Sequence, residues 1–146
     1  MNKGNLVIVD DEPTLVKLLA KKLKEYADNI FTAANGEEAL VVLAKQKIHC
    51  VICDVSMPKM DGIQLIKKMR SDNNPVPFVF YTGVGNHEMM LEVAKYGAFD
   101  FFNKPDFTGL EEVIVRGLKE GFNRPSETGS ELDFVSEYQK LLNEMK

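Results

Sequence analysis

The sequence predicts an open, doubly wound α/β fold built on a parallel sheet, and three observations predict it. Five short runs rich in β-branched and aromatic residues alternate with five stretches whose apolar residues recur at helical spacing. The third run, Cys50-Val51-Ile52-Cys53, is apolar at every position, as a strand covered on both faces must be. Four of the runs end in charged or hydroxyl residues, and open parallel sheets gather their functional groups along the edge where strands end.

The elements follow in order. Leu6 to Val9 is a strand, and Leu15, Leu18, Leu19 and Leu23 then mark a helix face. Ile30 to Ala34 forms a second strand, and Asn35 with Glu38 three residues on has the pattern of a capping box opening a helix through Ala39, Leu40 and Leu43. After the Cys50–Cys53 strand, Asp61-Gly62 opens a helix carrying Ile63, Ile66 and Met69, and the Asn73-Asn74-Pro75-Val76-Pro77 turn ends that unit. Phe78 to Tyr81 is a fourth strand, Glu88 to Tyr96 a helix and Phe99 to Phe102 a fifth strand. Thr108 with Glu111 is expected to cap the fifth helix, which carries Leu110, Val113, Ile114 and Leu118.

A chain of 146 residues has room for one core of ordinary domain size. The expected layout is a domain over residues 1–122, a linker over 123–130 and a C-terminal helix over 131–146, the last carrying Val135, Tyr138, Leu142 and Met145 on one seam. The seam is too short to establish a coiled coil, so a dimerisation helix and a helix laid back on its own domain both stay open. A composition 45% hydrophobic and 27% charged is that of a folded globular chain. A net charge of −4 with no Lys/Arg cluster argues against direct nucleic-acid or anionic-membrane binding. With no signal-like segment and no apolar run of membrane-spanning length, a cytoplasmic location is expected.

Other patterns in the chain have plainer readings. Cys50 and Cys53 have C-x-x-C spacing but fall within one strand, where residues three apart face opposite ways, so both are read as packing residues. His49 and His87 lack ligand spacing. Gly83-Val84-Gly85 lacks the rest of a nucleotide-binding loop and is read as a hinge. Asp61 is read as a helix cap paired with Gln64, outside the site.

What remains is a convergent set. Asp10 and Asp11 follow the first strand, Asp54 the third, Thr82 the fourth and Lys104 the fifth. Three carboxylates, a hydroxyl and an ammonium on one sheet edge have the chemistry of metal-assisted phosphoryl transfer.

With Met57-Pro58 and Asp61-Gly62 after Asp54, and Gly97-Ala98-Phe99-Asp100-Phe101 leading to Lys104-Pro105, the chain from Leu6 to about Phe122 resembles the receiver domain of two-component response regulators, of the chemotaxis-regulator type. The resemblance implies a flavodoxin-like five-stranded sheet of order 2-1-3-4-5 with five helices, to which this chain adds the C-terminal helix. It implies that Asp54 is the phosphoacceptor and that Mg²⁺ is held by Asp11, Asp54 and the Ser56 backbone carbonyl, with Asp10 acting through water. Lys104 would pair with Asp54 at rest and with a phosphoryl oxygen after transfer. Thr82 would sense the phosphoryl group, and Phe101, where many family members carry tyrosine, would rotate into the space Thr82 vacates. Lys104-Pro105 resembles the family's cis linkage, for which proline lowers the penalty to about 0.5–1 kcal/mol. Ser56 and Val84 would flank the approach of water to the acyl phosphate.

The implied partners are a sensor histidine kinase or histidine phosphotransfer protein as donor, and a downstream protein that reads the face formed by the fourth helix, fifth strand and fifth helix. The domain is expected to be a phosphoacceptor rather than an enzyme acting on other substrates. A homodimer through the tail or that face is the expected oligomer. An aspartyl-nucleophile phosphatase would carry Asp-x-Asp followed two residues later by Thr or Val after the first strand, whereas this chain reads Asp10-Asp11-Glu12-Pro13-Thr14. A phosphorylation-independent scaffold is the other alternative. The residues after the fifth helix are too few for a helix-turn-helix domain, so the tail is read as part of a stand-alone regulator, a dimerisation helix or the start of an output region.

Overall fold

The computed structural model describes residues 2–83, 87–104 and 106–123. Among them the chain runs β1 (Asn5–Val9), α1 (Pro13–Leu23), β2 (Asn29–Ala33), α2 (Gly36–Lys45), β3 (Cys50–Asp54), α3 (Gly62–Ser71), β4 (Phe78–Thr82), α4 (His87–Ala94), β5 (Asp100–Asn103) and α5 (Leu110–Asn123). The strands form one parallel sheet in the order β2-β1-β3-β4-β5, the predicted architecture. Most of the predicted 123–130 linker, the predicted 131–146 helix, the Lys104-Pro105 bond and Val84-Gly85 lie outside the described residues. Asn123 itself ends α5 rather than beginning a linker.

Strand alternation divides the core in two. On one face Val7, Val9, Val51, Cys53, Phe78 and Phe80 pack against α2, α3 and Val93 of α4. On the other, Leu6, Ile8, Cys50, Ile52, Val79 and Tyr81 pack against Leu19 and Leu23 of α1 and Leu110, Val113, Ile114 and Leu118 of α5. The two cysteines therefore lie on opposite faces. Burial pushes the Cys50 thiol up to about 12 and raises that of Cys53 as well, so neither is a ready thiolate.

Several boundaries differ from expectation for local reasons. Leu18 is 58% exposed although it was expected on the buried face of α1. At 100° per residue it lies well off the stripe that Leu15, Leu19 and Leu23 define four residues apart. β2 and β5 are each displaced by one residue from the predicted spans. α4 stops at Ala94 because the amides of Lys95, Tyr96 and Gly97 turn to carbonyls three residues back, and Gly97 then adopts φ +72. The predicted Thr108 cap is not made. Gly109, at φ +82, precedes the first residue of α5, the Thr108 amide donates to Asp106 Oδ1 at 3.0 Å, and Glu111 pairs with Lys22 at 3.2 Å.

The other two caps form. Asp61 and Gln64 make both halves of a capping box, at 2.8 and 3.0 Å. Asn35 accepts from the Glu38 amide at 2.9 Å, while the Glu38 carboxylate reaches the Ala34 amide at 3.3 Å, one residue before the cap. His49 is buried, its Nδ1 accepting from the Asn5 amide at 2.8 Å, which fits the packing role. Among the described residues no helix is long and apolar enough to cross a membrane.

Candidate functional site

Parallel register brings the strand ends level. Val9 pairs with Cys53, Asp54 with Tyr81, and Thr82 with Asn103. The ladder continues past the strands: the Asp10 amide donates to the Ala33 carbonyl at 3.0 Å, and that of Lys104 to the Thr82 carbonyl at 2.9 Å. Asp10, Asp54 and Lys104 are thus fixed by backbone hydrogen bonds or strand pairing before their side chains meet.

Asp10, Asp11 and Asp54 each present a carboxylate oxygen within 4.8 Å of the others. Asp10 and Asp54 are buried, whereas Asp11 is exposed and opens the cluster to solvent. Lys104 Nζ lies 3.0 Å from Asp54 Oδ2 and 3.5 Å from Asp10 Oδ2. The Ser56 amide donates to Asp54 Oδ1 at 3.2 Å and that of Glu12 to Asp10 Oδ1 at 2.9 Å. Three carboxylates facing one ammonium leave a deficit of positive charge among hard oxygen donors, which suits a divalent cation such as Mg²⁺.

Burial raises the proton affinity of Asp54 and outweighs the opposing pull of Lys104 and the Ser56 amide. Burial disfavours charge on Lys104 too, but Asp54 and Asp10 outweigh it and hold the ammonium above its usual range. The site therefore keeps its cation firmly and ionises its central carboxylate at a cost.

Thr82 ends β4, is 1% exposed and stands one residue past the strand partner of Asp54. Phe101 is placed differently. It is half-buried on the core face shared with α3 and α4, its ring centroid 6.2 Å from that of Phe80 rather than among the polar groups.

Two contributors were not picked out from the sequence. Tyr81, fully buried, donates its hydroxyl to Asp10 Oδ2 at 2.6 Å, and its ring lies 4.9 Å from Lys104 Nζ. Burial and the Asp10 carboxylate both push the phenol well above its usual range, so it stays a donor. Its one sequence signal is a polar tip in the last apolar position before Thr82. Gly62 packs directly behind Asp54, and that closeness depends on how α3 returns to the sheet.

Comparison with known proteins agrees with this fold. The family model described as the response regulator receiver domain matches residues 6–115. The chain is 32% identical over 138 residues to the transcriptional regulatory protein ZraR of Salmonella typhimurium, covering 94% of this chain and 30% of that protein. It is 35% identical over 118 residues to GlrR of Escherichia coli, covering 80% of this chain and 27% of that one. The chain thus spans less than a third of these relatives. Among solved structures, the receiver domain of the Francisella response regulator 1452 superposes with a TM-score of 0.74 at 25% identity, over 80% of this chain and 97% of the other.

Proposed function

The chain belongs to the response regulator receiver domain family of two-component signalling, and from that premise we propose that Asp54 accepts a phosphoryl group and switches the face formed by α4, β5 and α5. The observation that carries this reading is Lys104 Nζ at 3.0 Å from Asp54 Oδ2, inside a cluster of three carboxylates.

An Asp54 oxygen attacks the phosphorus of a phosphohistidine on a sensor kinase or phosphotransfer protein. The new O–P bond forms as the P–N bond breaks, and the departing imidazole keeps the electron pair and takes up a proton. Lys104 loses its Asp54 partner as that carboxylate becomes an acyl phosphate, and turns its charge to a phosphoryl oxygen. Thr82 donates its hydroxyl to another. Asp11, Asp54 and the Ser56 carbonyl would hold Mg²⁺ directly, with Asp10 acting through water. When bound, the ion offsets charge on the phosphoryl oxygens.

Inward movement of Thr82 favours rotation of Phe101, and the free energy of the new phosphoryl contacts biases a two-state equilibrium at the partner-binding face. Phe101 has no hydroxyl to report its state, so the switch works by packing. The domain acts on its own aspartate alone, catalysing its phosphorylation and dephosphorylation, in a cytoplasmic setting. Its output is a downstream protein partner, and a homodimer forms through the tail or the α4–α5 face. Light scattering on chains ending at Phe122 and Lys146 tests the tail, since equal masses reject a tail-driven dimer.

Intact mass after incubation with a small acyl-phosphate donor and Mg²⁺ tests the chemistry. A labile adduct that requires Asp54 and is abolished by chelator or Asp54→Asn is expected. No adduct on folded, metal-supplied protein would favour a phosphorylation-independent scaffold.

A further inference from the structure

We propose that Tyr81 is a positioning residue of this site: its hydroxyl holds Asp10 so that Lys104 is left to Asp54, and so that Asp10 meets a bound cation through water rather than directly. The kinetic half of the inference rests on the reading of Asp54 as phosphoacceptor; the metal-binding half does not.

Asp10 has both oxygens engaged by the protein. Oδ1 accepts from the Glu12 amide at 2.9 Å and Oδ2 from the Tyr81 hydroxyl at 2.6 Å. A carboxylate whose side chain is fully buried and so held cannot swing freely toward a metal. Lys104 Nζ is shared unequally, 3.5 Å from that same Oδ2 and 3.0 Å from Asp54 Oδ2. The inequality follows from the donor count: the hydroxyl already satisfies Asp10 Oδ2, and Asp54 Oδ2 relies on the ammonium.

The phenol is itself well fixed. Its ring packs edge-on to Phe107 at 5.7 Å, beneath the ammonium, on a residue register-paired with Asp54. Removing the hydroxyl alone would leave a buried carboxylate oxygen short of a donor. That oxygen has two replacements within reach, the Lys104 ammonium and a bound cation. Recruiting the first draws Lys104 away from Asp54, and recruiting the second tightens the metal.

Tyr81→Phe in the full chain tests this, since it keeps the ring and its packing. Mg²⁺ affinity is measured by calorimetry without any phosphodonor, and the phosphorylation rate with an acyl phosphate at saturating Mg²⁺. Mg²⁺ is expected to bind about threefold to tenfold tighter while the saturated rate falls about tenfold, as loss of one charge-assisted hydrogen bond allows. Combined with Lys104→Met, the hydroxyl deletion should no longer alter the rate. An unchanged or weaker Mg²⁺ affinity overturns the proposal, as does an equal loss of rate with and without Lys104. If no chain is phosphorylated at all, the reading of Asp54 fails while the Mg²⁺ comparison still decides how Asp10 is held.

The parent chain supplies a measurement independent of the variant's folding. With ring-labelled tyrosine, the Tyr81 Cζ resonance should keep its hydrogen-bonded position at saturating Mg²⁺. Movement to that of a phenol without a carboxylate partner would show Asp10 turning to the metal and overturn the proposal.

Discussion

Gly62 lies so close behind Asp54 that a Cβ built on it would come within 2.5 Å of the Asp54 carbonyl oxygen and 3.1 Å of the Val55 Cα. The contact is with backbone, which cannot yield by changing a rotamer. The Gly62 amide also donates to the Val55 carbonyl at 2.9 Å, so the start of α3 is clamped to the end of β3. Gly62→Ala should therefore lose about 1–3 kcal/mol of stability, the range of overpacked positions. Denaturant unfolding measures the loss, and any folded protein that remains should phosphorylate more slowly because the Asp54 backbone has moved. A change below about 0.5 kcal/mol, the usual range for surface substitutions, would show that α3 shifts freely.

Asp54 gives a prediction whose sign runs against the usual carboxylate. Burial raises its folded-state value above the ordinary 3.8. Its favourable contribution is complete below the unfolded value and is lost as pH rises through the folded one. At neutral pH the ionised group thus costs the metal-free domain stability. Asp54→Asn should melt a few degrees above the parent chain in chelator at pH 7, and the gap should close as pH falls below about 4. With Mg²⁺ the order should reverse, because the ion stabilises the carboxylate and binds the amide poorly. A variant that melts lower than the parent in chelator at pH 7 would mean that Lys104 more than offsets the desolvation.

Much of this was legible in the sequence because its signals are local or periodic. The run Cys50–Asp54 announced a central strand by being apolar throughout, and Asp61 with Gln64 announced a cap by spacing alone. Asp10, Asp11, Asp54 and Lys104 converge because parallel strands share an edge, a consequence of topology that needs no side-chain detail. What escaped depends on three-dimensional closeness. Tyr81 reads as one more apolar strand residue until its hydroxyl is found on Asp10, and Gly62 reads as an ordinary first residue of a helix until the packing behind Asp54 is seen. Thr108 failed as a cap because α5 opens at Leu110, which puts Gly109 at the cap position, while the Thr108 amide turns back to Asp106.

Asp61 separates a cap from a site residue. Its carboxylate accepts from the Gln64 amide at 2.8 Å and the Gln64 side chain returns to the Asp61 amide at 3.0 Å. Asp61→Ala should cost about 1 kcal/mol of stability through the lost cap. The phosphorylation rate and Mg²⁺ affinity of the folded protein should stay within about twofold of the parent, too small a change to represent a lost metal ligand. A tenfold loss in Mg²⁺ affinity would instead place Asp61 among the groups that hold the ion.

Arg70 joins the end of α3 and the loop that follows it to a turn distant in sequence. From the last turn of α3 its Nε donates to the Tyr96 carbonyl at 2.7 Å, while Nη1 reaches the carbonyls of Asn74 at 2.7 Å and Val76 at 3.0 Å. The guanidinium thereby ties the end of α3 and the approach to β4 to the turn that follows α4. Lysine carries the same charge, but its three donors all sit on one nitrogen and cannot span the carbonyls that Nε and Nη1 reach separately, so Arg70→Lys cannot restore the set. The variant should lose about 1–3 kcal/mol, as for hydrogen bonds from a charged donor to partly buried carbonyls. Amide exchange should localise the loss to 72–76 and 95–98, with the β1 and β3 amides exchanging only through the reduced global stability. Uniform acceleration across the sheet with no excess in those two turns would mean that Arg70 contributes to overall stability without bracing them.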